Sequence, residues 1–188
     1  MKSNYQAIFI FLACFIVFYA SPVRWLADSR HALLLSESLI RYRSVTLEDY
    51  FSPPAATTSV AQAWLEVEGM QKANGHLYYW FPPGGSVLAI PFVALANAAG
   101  WHVIGNDGRY DPEVELALQR ILAAFLMSVL CAGWFVVASR MLPPWLAVLF
   151  ALACAFATPV WSSASRVLWA DTWGIFLLSV ALWMVLSP

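Results

Sequence analysis

Residues 86–103, SVLAIPFVALANAAGWHV, decide the fold. The run is apolar, yet Pro91 and Asn97 interrupt it. A proline-kinked span and a half-embedded segment both accommodate such a sequence, because broken backbone at membrane depth needs only protein or water to satisfy it. If the run crosses a bilayer, Asp28 and Asp171 end on opposite faces. If it dips in and returns, they share one.

The composition around this stretch makes a bilayer the expected solvent. The 188 residues are 61% hydrophobic and 11% charged, against about 45–50% and about 25% in soluble domains. That is too little charge to cover a soluble surface. A net charge of -1 offers no basic face for phosphates, which excludes a nucleic-acid partner. Cys14, Cys131 and Cys154 sit inside apolar runs without CxxC or Cys/His spacing and read as small buried hydrophobes.

Outward from 86–103, uncharged runs cover residues 3–23, 121–139, 141–165 and 172–188. A spanning helix needs about 20 such residues. The expected fold is therefore all-α and integral to the membrane, a polytopic bundle of about four transmembrane helices at 7–23, 120–139, 143–161 and 170–187. Together they form a single membrane domain over 1–188. Phe18 is bulky where a signal-peptide cleavage site wants a small residue, so the first run reads as an uncleaved span with Lys2 and the N-terminus cytoplasmic. Residues 24–118 become a long outer loop. With 86–103 dipping, all eleven acids lie outside and only Lys2 and Arg140 inside, which makes dipping the preferred reading.

Within the loop, 27–43 reads as a helix along the membrane surface. Asp28 or Ser29 caps it, Ala32, Leu35, Leu39 and Tyr42 form its apolar stripe, and Glu37 pairs with Arg41. The segment KANGHLYYWFPPGG reads as a turn followed by an aromatic approach to the membrane. His31, His76 and His102 show no ligand spacing, so no metal site is expected, and a divalent cofactor would have no visible motif. Pro82–Gly85 lacks the ending of a phosphate loop.

Taken in order, these pieces resemble a family. An acid follows the first span in LADSRHALLLSESLI, and YYWFPPGGSVLAIPF opens an apolar segment. Arg120-Ile121 opens a span, and SRVLWADTWGIFLL carries Arg166 and Asp171 into the next. The order resembles the N-terminal part of GT-C membrane glycosyltransferases, in the protein O-mannosyltransferase and lipid A aminoarabinose transferase branch. The resemblance implies transfer of a sugar from a polyprenyl-phosphate donor, among membrane lipids, to an acceptor on the outer face of a bacterial cytoplasmic membrane. It makes Asp28 the base or acceptor-orienting carboxylate and Asp171 a supporting carboxylate in the catalytic site. Arg30, His31, Arg41, Arg120, Arg166, Tyr78, Tyr79 and Trp80 become the candidates for carrier phosphate and sugar.

Two departures stand beside it. The family's acidic pair is Asp28-Ser29 here, and family chains are much longer, so the sequence reads as an N-terminal portion of that architecture. The competing classes are a non-catalytic accessory or truncated membrane protein and a transporter fragment.

Overall fold

A computed structural model of the chain describes residues 2–22, 29–51 and 69–186. It is mostly helical. The elements are α1 (Lys2–Ala20), α2 (Ala32–Tyr42), β1 (Met70–Ala73), β2 (His76–Tyr79), α3 (Gly84–Ala98), α4 (Pro112–Met141), α5 (Pro144–Phe156) and α6 (Ala170–Leu186). They group into two compact units, residues 1–24 with 119–188, and residues 25–118.

The first unit is built on α4 from residue 119 onward, while the opening residues 112–118 of that helix belong to the second unit. Asp111 starts this helix by accepting the amides of Glu113 at 3.0 Å and Val114 at 3.2 Å. Pro112 takes the first helical position, where a missing N–H costs nothing. At 30 residues it is the one helix among those described that is long and apolar enough to cross a membrane. Its first turns, 112–119, precede the expected start at 120, because the Asp-Pro cap lies upstream of the uncharged run. Pro143-Pro144 ends it and opens α5, as the dipeptide dictates. Helix α5 stops at Phe156, short of the expected 161, because Pro159 has no amide to donate. There Thr158 turns its hydroxyl back to the Cys154 carbonyl at 2.6 Å, and a π turn runs from Val160 to Ala164.

Side chains four apart on α1, namely Ile10, Cys14 and Phe18, are buried. Phe18 meets Phe156 of α5 at 5.9 Å between ring centres, and Phe11 meets Phe125 of α4 edge-on at 5.8 Å. Between α4 and α6, Trp134 donates its indole N–H to Ser179 Oγ at 3.3 Å. One turn of α6 further on, the Trp183 ring lies directly over Gly133. Apolar residues also face outward, among them Phe9 at 72% exposure and Val185 at 81%.

The second unit corrects two expectations. Residues 70–79 form an antiparallel hairpin, Met70 opposite Tyr79 and Ala73 opposite His76, so the chain is not all-α. Asn74 and Gly75 both take positive φ, 50° and 86°, the two-residue turn whose twist matches that of the paired strands. Leu47 donates to the Leu77 carbonyl at 2.9 Å, and Thr46 bridges Tyr78, so the segment before the hairpin runs alongside it. Helix α2 is the second correction. It begins at Ala32, and Ala32–Ser38 are buried on every side, where a surface helix would bury one stripe. Its other face packs on α3 through Ser36, whose hydroxyl donates to the Ser86 carbonyl at 2.7 Å. The expected pairing of Glu37 with Arg41 is present.

Of residues 86–103, the helix takes those up to Ala98. The chain then leaves helical geometry through Gly100, at φ 84°, and buries Val103 and Ile104. Pro91 sits inside this helix without ending it.

Glu48 clamps the hairpin. Its carboxylate accepts His76 Nδ1 at 2.6 Å and the Leu77 amide at 3.1 Å. Burial pushes its pKa up, but the His76 bond and the backbone amides outweigh this and leave the group below the usual carboxylate range. A depressed carboxylate contributes stability that is present above its unfolded pKa and is lost as pH falls through the folded one. Amide-exchange protection at Leu47 and Leu77 is therefore expected to fall as pH drops below the ordinary glutamate range. Glu48→Gln should show the low protection already at neutral pH.

Candidate functional site

Asp28 lies outside the described residues, as does Arg24. The turn that follows is held from α4. Glu115, on the first turns of that helix, is fully buried, and its Oε1 accepts the Leu33 amide at 2.8 Å. It thereby satisfies a donor that the start of α2 leaves open, since His31 in the cap position makes no side-chain cap. A carboxylate is also the right charge there, facing the positive end of the helix dipole.

His31 is 2% exposed and adopts φ 70°, a left-handed conformation that few side chains take. Its ring packs against Tyr110 at 4.9 Å and Phe51 at 5.6 Å, and those two rings stand 5.8 Å apart, closing a three-ring cluster. Burial, with the Arg30 charge adding to it, lowers the His31 pKa to about 3, so the imidazole is neutral. Its Nδ1 has no hydrogen-bond partner among the described residues. Burial also raises the Tyr110 phenol far above its ordinary range, and the Glu115 carboxylate beside it acts in the same direction. His31, expected to touch substrate, is thus enclosed by the fold, with Arg30 half-buried beside it.

Arg41 is committed to Glu37. That carboxylate is fully buried and also accepts Asn97 Nδ2 at 2.6 Å, which ties α2 to the far end of α3. Tyr78 and Tyr79 are adjacent in β2, so their side chains leave opposite faces of the hairpin. The Tyr79 ring meets Phe81 at a tilt, 5.6 Å between centres, and Trp80 is 60% exposed. The three aromatics do not make one platform.

The remaining candidates meet in the first unit, at the end of α1. Arg120 donates Nε to the Tyr19 carbonyl at 2.7 Å and holds its guanidinium 4.6 Å from the Tyr19 ring centre. Arg166 donates Nε to the Trp161 carbonyl at 3.2 Å and lies 5.7 Å from that ring. Trp161 in turn donates its indole N–H to Ser21 Oγ at 2.9 Å. Both arginines therefore stand beside residues 19–21. At the first turn of α6, Asp171 is exposed. The next residue, Thr172, is buried, its hydroxyl shared between the carbonyls of Ala164 at 3.0 Å and Val167 at 3.1 Å. That anchoring locks the turn and leaves Asp171 facing outward, with no ion pair or hydrogen bond among the described residues.

Sequence reasoning missed Glu115, Tyr19, Ser21 and Trp161. Glu115 carried a signal, an acid in the first turn after an Asp-Pro helix start. The others became visible only through contacts 101 and 140 residues apart. Among the described residues no group of three or more His, Cys, Asp or Glu could hold a metal ion. An open depression of about 380 Å³ lies at Trp101, His102 and Asn106, and none of the expected site residues lines it. Comparison with protein-family models, curated proteins and solved structures finds no match.

Proposed function

We propose that the chain is a GT-C-like membrane glycosyltransferase that moves a sugar from a polyprenyl-phosphate carrier to an acceptor on the outer face. Asp171 and Asp28 are its carboxylates, and four spans are formed by α1, α4, α5 with the π turn after it, and α6. One observation carries this reading: the Asp171 carboxylate is exposed at the start of an apolar helix and is engaged by nothing else among the described residues. A free acid at a span boundary is expensive to keep and is available to take an acceptor proton or hold a cation. Two further features support the topology. Helix α3 has 15 residues, about 22 Å of length against the roughly 30 Å of a bilayer core, which suits a segment that dips. The outward-facing apolar residues of α1 and α6 suit lipid.

Asp171→Asn tests it. Loss of a general base costs about 10²–10⁴ in rate, so one glycosylated species should vanish from cell-envelope extracts analysed by mass spectrometry, with protein level unchanged. An unaltered extract at normal protein level would sink the enzyme and leave the non-catalytic accessory reading in its place.

A further inference from the structure

Among the described residues, no carboxylate pairs with the two guanidinium groups at the end of α1, those of Arg120 and Arg166. Asp171, the acid closest in sequence to Arg166, engages neither. Both side chains are only partly exposed. Their Nε donors are used on the carbonyls of Tyr19 and Trp161, which leaves the terminal nitrogens, with four N–H groups on each fork, unassigned.

Removing a cation from water without a partner is costly. The negative end of the α1 dipole at Tyr19 offsets part of that cost for Arg120. Among the described residues nothing supplies the rest, and an anion from the surroundings can. A phosphate diester matches the fork geometry of guanidinium, and stacking on Tyr19 and Trp161 holds each fork in a fixed plane. Tyrosine and tryptophan also favour the headgroup level of a bilayer. We propose that Arg120 and Arg166 form a binding site for the headgroup phosphate of an anionic glycerophospholipid. The site depends on the chain lying in a bilayer and not on sugar transfer, so the two proposals fail separately.

The test uses the full chain, delipidated in detergent and mixed with dioleoyl phosphatidylglycerol or dioleoyl phosphatidylcholine, with retained lipid read by native mass spectrometry. Phosphatidylglycerol should be retained preferentially. Arg166→Gln should weaken its retention about tenfold, the worth of one charged hydrogen bond, and Arg120→Gln likewise. Arg140→Gln, at the opposite end of α4, should change nothing. Arg120→Gln also removes the bond to the Tyr19 carbonyl. If that variant fails to fold, Arg166→Gln decides together with Arg120→Lys, which keeps the charge and should keep part of the retention. Equal retention of phosphatidylcholine, or undiminished phosphatidylglycerol in the glutamine variants, overturns the site. Displacement of phosphatidylglycerol by inorganic phosphate would make it a free-anion site, and retention of decaprenyl phosphate alone would make it a carrier site. Either result removes the phospholipid.

Discussion

Gly133→Ala is expected to destabilise the helical unit, although alanine is the better helix former by about 1 kcal/mol. The added Cβ would stand 2.1 Å from Trp183 Cζ2, 2.4 Å from Cη2 and 2.7 Å from Cε2. No real contact of this kind is so short, and the obstacle is a rigid ring, not the end of a flexible chain. Overpacking costs about 1–3 kcal/mol, which exceeds the propensity gain. For a chain of this size each kcal/mol moves the thermal midpoint by about 2–4 °C. Detergent-solubilised Gly133→Ala should therefore melt several degrees below the parent, and Gly133→Val should fall further. Trp183→Leu should restore Gly133→Ala by vacating the space. A midpoint at or above the parent's for Gly133→Ala would mean that Trp183 does not rest on α4.

Glu115→Ala carries the second large effect. It strips a fully buried acceptor from the Leu33 amide and leaves a void beside Tyr110. An orphaned buried donor costs about 1–3 kcal/mol and the cavity adds to it, for roughly 3 kcal/mol together. Glu115→Gln keeps an oxygen in place and should lose about 1 kcal/mol. Hydrogen exchange locates the effect: protection at Leu33 and Leu35 should collapse in the alanine variant and survive in the glutamine one. Equal protection in both would show that the α2 start does not depend on this carboxylate.

The helices were legible in the sequence where a single physical constraint governed them. Scarcity of charge located α1, α4 and α6, and Pro143-Pro144 marked the turn between α4 and α5. The end of α5 was misjudged because apolar composition continues through Pro159, whereas the backbone hydrogen bonds do not. The hairpin had a clear local signal, Asn74-Gly75 between two short strands, but the aromatic run Tyr78–Phe81 read as a membrane approach and masked it. The polar interior of the second unit was not legible. A buried Glu37 looks in sequence like any helix-surface acid until Asn97, 60 residues away, is found against it. Helix α2 looked amphipathic for the same reason, since its polar side is buried by partners that no local pattern announces. Of the site candidates, Arg120, Arg166 and Asp171 were read as individually important. That the two arginines flank a single helix end depended on Tyr19, Ser21 and Trp161, which pattern alone does not single out.

The alanines of α5 leave that helix with two unequal sides. Ala147, Ala151 and Ala155 are buried at four-residue intervals and so lie on one face of the helix. Leu149 and Phe150 lie outward, at 54% and 41% exposure. Bulk added along the alanine line would have to displace packed neighbours. Phe150 meets the Trp134 ring edge-on at 6.2 Å, whereas Leu149 offers a position at which a new group can be added on the outward side. A nitroxide or environment-sensitive dye at Leu149 would therefore sample the surrounding medium, lipid tail or water, and leave the fold that carries it intact.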